Sequence, residues 1–298
     1  MFKTKKYYIS KFSCANQYCV QRKLKERSPY EKWILAKGNN QTRYWILFEK
    51  ISNFFPDLRD LFFELPVHKS IIYPLDLIEK KNQYISQNEI GFVYPFPIQK
   101  FQIFEKAMKA DKKEKIEMLR LLYNTIESLH KEKIYLMGFD IKQIFIINGK
   151  IRIRYNGFNI CNRNSVYRIP DYLAQQYSDV PWILDLFSLV TIIFESIYGW
   201  KPFCGTMTSF SQDEEIQFEV FYNNFKKKIF IFEEQKKLNQ IGFLREQKSI
   251  IEKWNSTDKE IQDFLKNVLM LNISKNCDET IFYEAEKLIT YYENSKLF

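Results

Sequence analysis

IEMLRLLYNTIESLHKEKIYLMGFDIKQIFIINGKIRIRYNGFN, residues 116–159, is the stretch whose reading decides the fold. Ile116, Leu119, Tyr123, Ile126 and Leu129 recur at three- and four-residue steps. That spacing lays one apolar stripe along a helix. The helix is expected to end near His130–Lys133. Ile144–Ile147, an Asn148-Gly149 pair and Ile151–Ile153 follow. Two short β runs around Asn-Gly predict a hairpin with a type I′ turn, because both turn residues tolerate positive φ.

Laid without gaps on I-V-H-R-D-L-K-P-E-N-I-L-L-x-x-G-K, Ile134–Lys150 keeps Ile134, Ile144 and Gly149-Lys150. This helix, loop and hairpin resembles the catalytic core of the protein kinases. In that register the His-Arg-Asp positions are Leu136, Met137 and Gly138, the catalytic-loop lysine is Asp140, and the metal-binding Asn is Gln143. The Asp of the Asp-Phe-Gly triplet becomes Tyr155, followed by Asn156 and Gly157. Kinase chemistry needs an aspartate to take the hydroxyl proton, and an Asn and a second Asp to hold magnesium. Gly138 has no side chain, Tyr155 is neutral at pH 7 and a poor ligand for a hard cation, and Gln143 carries an extra methylene. The resemblance therefore implies a fold that has lost phosphoryl transfer, with ATP and magnesium binding absent or weak.

Working outward, residues 7–24 (YYISKFSCANQYCVQRKL) read as strand, turn and strand in the place of the glycine-rich loop. Ending the match at Val20 puts Ser13, Ala15 and Tyr18 at the three glycines, where backbone must approach phosphate closely. Tyr18 is expected to project bulk there. Residues 25–43 read as an enlarged loop, and Tyr44–Phe48 as a strong strand. On that strand Leu47 takes the place of the ATP lysine, with Lys37 and Lys50 as off-pattern substitutes. Asp57–Leu65, between Pro56 and Pro66, is the expected helix of the small lobe, with Glu64 as its only Glu. Ile71–Asp76 and Ile90–Pro95 are expected to pair and to lead to a hinge at Val93, Tyr94 and Pro95. Hinge backbone binds adenine in kinases; an apolar edge packing the two lobes is the alternative reading.

Downstream, PDYLAQQYSD (170–179) matches Y-L-A-P-E through Tyr172-Leu173-Ala174, with Gln175 and Gln176 in place of Pro and Glu. The Arg that pairs with that Glu in the family is missing from NISKNCDE (272–279). A lone buried charge is costly, so joint loss is physically coherent. ILDLFSLVTIIFESIYGWKPF (183–203) resembles D-x-F-S-L-A-x-x-I-F-x-L-L-x-G-x-x-P-F and is apolar nearly all round, the mark of a buried helix. Its Asp185 corresponds to a structural aspartate that accepts hydrogen bonds from catalytic-loop amides in kinases; a surface helix cap is the other reading. IFIFEEQKKLN (229–239) resembles F-I-F-D-P-x-x-x-x-N, a segment of a bacterial serine/threonine kinase branch found in stress and tellurium-resistance gene clusters.

The expected fold is α+β and bilobal: a β-rich small lobe over residues 1–95 and a larger, mainly helical lobe over 96–298. The 298 residues, 46% hydrophobic and 17% aromatic, are ample for such cores. The implied function is that of a pseudokinase, a regulatory scaffold that binds a kinase, a phosphatase or a substrate. Two alternatives stand beside it. One is an atypical kinase or nucleotidyl transferase using Asp140, with Gln143 and Asn156 rewired to hold a metal. The other is a nucleic-acid or membrane-surface binder: the net charge is +9, and residues 1–30 carry eight Lys or Arg against one Glu.

Other classes are disfavoured. Cys14, Cys19, Cys161, Cys204 and Cys277 show no metal-ligand spacing, and only His68 and His130 are available beside them. An odd cysteine count and no signal-peptide pattern point to a reducing cytoplasm. The longest apolar run, Ile183–Tyr198, is interrupted by Asp185 and Glu195 and is too short to span a bilayer.

Overall fold

A computed structural model describes residues 7–9, 17–23, 32–39, 42–50, 68–79, 89–95, 101–154, 165–203, 214–232 and 245–295. The chain is mixed α+β and divides into two compact units, Met1–Phe101 with Ile147–Arg163 and Gln102–Ile146 with Asn164–Phe298. Among the described residues no helix is long and apolar enough to cross a membrane.

The first unit is built on an antiparallel sheet of six strands: β1 (Tyr7–Ile9), β2 (Gln17–Lys23), β3 (Lys32–Gly38), β4 (Arg43–Lys50), β6 (Asp76–Glu79) and β7 (Glu89–Pro95). Their order across the sheet is β1-β2-β3-β4-β7-β6. Residues 25–43 are thus more than a loop. Lys32–Gly38 forms β3, whose apolar run Trp33-Ile34-Leu35-Ala36 pairs with Leu47-Ile46-Trp45-Tyr44. Period-2 alternation puts Ile34, Ala36, Ile46, Phe48, Ile78 and Val93 in one packed layer with Tyr18. Trp45 and Leu47, on the opposite face of β4, are buried as well, so both faces of that strand are covered. Phe48 lies opposite Gly91. A Cβ on Gly91 would come within 2.7 Å of the Phe48 ring, so glycine makes room for it. Of the expected Ile71–Asp76 and Ile90–Pro95 pair, Asp76–Glu79 pairs with β7. Ile71–Ile72 is a separate strand, β5, parallel to β10 (Lys150–Arg154). The expected helix at Asp57–Leu65 lies outside the described residues.

Strand β8 (Phe101–Ile103) is followed in the second unit by α1 (Phe104–Ala107) and α2 (Lys112–Lys131), the amphipathic helix read from the sequence. Asp111 caps α2 by accepting from the Glu114 amide at 2.9 Å. Then come β9 (Ile144–Ile147), α3 (Asp171–Ala174), α4 (Trp182–Tyr198), α5 (Glu214–Lys226), α6 (Arg245–Asn255), α7 (Lys259–Leu269) and α8 (Glu284–Asn294). β9 and β10 flank Asn148 (φ 52°) and Gly149 (φ 69°), the two positive values a type I′ turn requires.

Helix α4 is the axis of this unit and packs against α2, α6, α7 and α8. Fifteen of its residues are buried, as a sequence apolar nearly all round demands. It stops at Gly199 (φ 74°), whose amide donates to the Glu195 carbonyl at 2.7 Å. Beside its C-terminal half an aromatic cluster forms: Phe194, Tyr198, Phe230, Phe232 and Trp254, with Phe232 stacked on Trp254 at 4.6 Å. These rings come from three separate stretches, which they lock to one helix.

Candidate functional site

The loop from Ile134 to Gln143 is fastened from behind by the first turns of α4. Asp185 is 0% exposed. Its Oδ2 accepts from the Leu136 amide at 2.9 Å and its Oδ1 from the Gly138 amide at 2.7 Å. One helical turn on, Ser188 Oγ accepts from the Phe139 amide at 3.0 Å and donates to the Leu184 carbonyl at 3.2 Å. Three loop amides are thereby satisfied by two side chains on one helix face, spaced i, i+3. A carboxylate removed from water is tolerable only with such donors.

The loop bends sharply to present those amides. Met137 has φ 58° and Gly138 φ 85°. A Cβ on Gly138 would lie 3.3 Å from Ser188 Oγ, 3.5 Å from the Leu184 carbonyl and 3.6 Å from Arg168 Nε. Glycine at 138 is therefore fitted to its place on two counts, conformation and space.

His130, at the end of α2, holds Asp185 from the other side, with Nε2 3.0 Å from Oδ2. Its Nδ1 lies 3.3 Å from Glu279 Oε1. The second oxygen of Glu279 accepts from Lys133 Nζ at 3.2 Å and from the Tyr135 hydroxyl at 3.3 Å. A row of polar side chains thus runs from Lys133 and Tyr135 through Glu279, His130 and Asp185 to the amides of Leu136 and Gly138, hydrogen-bonded at every step except the 3.3 Å approach of His130 Nδ1 to Glu279 Oε1.

Asp140 and Gln143 are buried and engaged with one another. Asp140 Oδ1 accepts from the Lys142 amide at 2.8 Å, and the Asp140 amide donates to Gln143 Oε1 at 2.9 Å. This capping box starts the 3-10 turn Ile141–Gln143. Tyr167 is buried nearby and donates to Glu195. Burial first, then the negative charges of Glu195, Asp140 and Glu105, push its hydroxyl well above the usual tyrosine range.

In the first unit Tyr18 turns into the sheet core, and its hydroxyl donates to Asp76 Oδ2 at 2.7 Å. Asp76 Oδ1 accepts from the Leu77 amide at 2.8 Å. Burial, and then Asp76, push the Tyr18 hydroxyl far up. Leu47 is buried in β4 between Trp33 and Phe92 and brings no amine. Lys37 is on β3 opposite Arg43 and Cys19. Lys50 ends β4. Val93 and Tyr94 are buried in β7 and Pro95 is exposed. The Val93 carbonyl accepts from the Leu75 amide at 2.6 Å. Ser13, Ala15, Tyr155 and Asn156 lie outside the described residues.

The second unit thus brings Gly138, Asp140, Gln143 and Asp185 together around one loop. Sequence reading missed His130, Ser188, Glu279 and Tyr167 as members of this neighbourhood. Ser188 carried a usable signal, since it follows Asp185 by three residues on a helix. Glu279 carried none, being 94 positions away from Asp185 in a polar tail. Among the described residues no group of three or more His, Cys, Asp or Glu could hold a metal ion.

Compared with protein-family models and with curated proteins, the chain matches none.

Proposed function

We propose that this chain is a bilobal, protein kinase-like protein that does not transfer phosphate and acts by binding a protein partner, which could be a kinase, a phosphatase or a substrate. One observation carries the reading. The loop at 134–143 is held by a buried Asp185, Ser188 and His130, as a loop that must present groups accurately would be, yet the positions that would react present none. Gly138 offers no base, and Asp140 and Gln143 are committed to capping their own turn. Phosphoryl transfer is positioning and electrostatics. A retained frame without the acids has positioning left to offer, and positioning suits recognition.

The net charge of +9 favours a second reading, in which an anionic surface or nucleic acid is the partner. Binding of that kind weakens steeply with salt, whereas docking on an apolar or mixed surface does not.

A thermal-shift titration with ATP and magnesium tests the lead reading. The expected result is no magnesium-dependent stabilisation. A metal-dependent rise in Tm that saturates with ATP would overturn it. The rewired-enzyme alternative would need Asp140 to leave its cap, so it predicts that Asp140→Ala abolishes any such rise.

A further inference from the structure

The polar chain behind the loop opens at its far end into a surface pocket of about 220 Å³. Its walls are the last turn of α2, the turn at Lys133 and residues 278–283. Three carboxylates line it, Glu127, Asp278 and Glu279, against two ammonium groups, Lys131 and Lys133. Tyr283, 47% exposed, stands among the lining residues, and the buried Phe282 packs beneath them against Tyr123 and His130. We propose that this pocket binds a guanidinium or primary ammonium group, and that its occupant acts on the loop at 134–139 through Glu279, His130 and Asp185.

Four observations favour a cation. The carboxylates outnumber the lysines. The C-terminal end of the twenty-residue helix α2 faces the pocket, and its carbonyl end attracts positive charge. The exposed ring of Tyr283 suits a cation that is partly desolvated. Lastly, the polar atoms at the floor are incompletely bonded. His130 is 5% exposed, and neither its Nδ1 nor Glu279 Oε1 completes a hydrogen bond, although they lie 3.3 Å apart.

The lysines already present are weak competitors. Lys131 pairs with Glu127 at 2.8 Å and Lys133 with Glu279 at 3.2 Å. They are 61% and 74% exposed, and ion pairs at such positions contribute little. An incoming cation can take the place of the Lys133 ammonium at Glu279 without leaving it unsolvated. Lys133 itself sits at φ 58° in the turn that leads into the loop. Ligand chemistry and loop position are therefore joined by consecutive contacts of 2.7–3.3 Å. This inference rests on the pocket alone and stands whether or not the kinase-like reading does.

The experiment uses the full chain. Agmatine, a blocked Ala-Arg-Ala peptide and a blocked Ala-Gln-Ala peptide are titrated by calorimetry, with hydrogen exchange of residues 134–139 followed at each concentration. The expected result is saturable binding of agmatine, of the arginine peptide or of both, with slower loop exchange at saturation. Agmatine alone would indicate a free amine, and the peptide alone a partner's side chain. Asp278→Asn and Tyr283→Ala, both at the exposed rim, should each weaken binding by about fivefold, and Lys133→Ala, which removes the competitor, should strengthen it by a similar factor. Three results would overturn the proposal: no saturation up to about 10 mM, equal binding of the glutamine peptide, or unchanged loop exchange at saturation. Because these variants change exposed side chains, a lost response cannot be charged to misfolding if their melting temperatures match the parent.

Discussion

Asp185 joins two amides of a bent loop and a histidine to the central helix of its unit. Removing its carboxylate leaves three buried donors facing nothing. Asp185→Ala is expected to cost about 3–5 kcal/mol, read from urea unfolding, in the range for breaking a buried pair from one side. Gly138→Ala is expected to cost about 1–2 kcal/mol, since a side chain at φ 85° is strained and its Cβ would press on Ser188. Were that variant as stable as the parent, the loop would not be held as described. In the first unit Tyr18→Phe deletes the hydroxyl that bonds Asp76 and takes one donor away from a buried carboxylate. About 1–3 kcal/mol of destabilisation is expected by the same measurement. At this scale the sequence told part of the story. Gly138 and Asp185 stood out because a pattern assigned them places. Tyr18 was expected to fill space above a phosphate site, and instead it turns inward, because an aromatic on a sheet face gains more from burial and from an acceptor such as Asp76 than from solvent. The distance of Asp76 along the chain, 58 residues, hid that partner.

Among the elements, α2 and α4 were the most legible. α2 carries a long periodic apolar stripe and α4 is apolar nearly all round, and such patterning is the signal that sequence transmits best. β9 and β10 were legible through Asn148-Gly149, whose chemistry dictates the turn. β3 was not: Lys32, Lys37 and the glycine that follows give Lys32–Gly38 the look of a polar loop, while the short run Trp33–Ala36 between them makes it a strand once β4 is beside it. β5 was misjudged for a similar reason, because two residues, Ile71 and Ile72, are too few to declare a partner. The packing of α6 onto α4 rests on Trp254, stacked on Phe232 and close to Phe230 and Tyr198. Trp254→Ala is expected to cost about 3–5 kcal/mol, measured by denaturant unfolding followed at a far-ultraviolet wavelength so that loss of the indole signal does not interfere. A loss below about 1 kcal/mol would mean that this aromatic cluster does not tie the helices together.

For the molecule as a whole, both units bury tyrosine hydroxyls. Burial raises the titration of Tyr18, Tyr123, Tyr167 and Tyr198 above the usual tyrosine value. Unfolded tyrosine ionises near pH 10, whereas these folded groups hold their protons to higher pH. The unfolded chain then binds fewer protons than the folded one, so stability is intact below about pH 10 and falls as the pH rises past it. Urea midpoints between neutral and alkaline pH should follow that course, and Tyr198→Phe should shallow the decline. A flat profile would mean that these hydroxyls are solvated. At this scale the sequence names no binding surface, because such a surface has no fixed spacing of residue types.

The central proposal is that the loop at 134–143 belongs to a kinase-like fold and carries no groups that transfer phosphate. Incubation with radiolabelled ATP and either magnesium or manganese, with and without a general protein substrate, tests that claim most directly when the parent chain is compared with Asp140→Ala. The account predicts no incorporation above the protein-free blank in either chain. Label transferred by the parent and lost in the variant would contradict it.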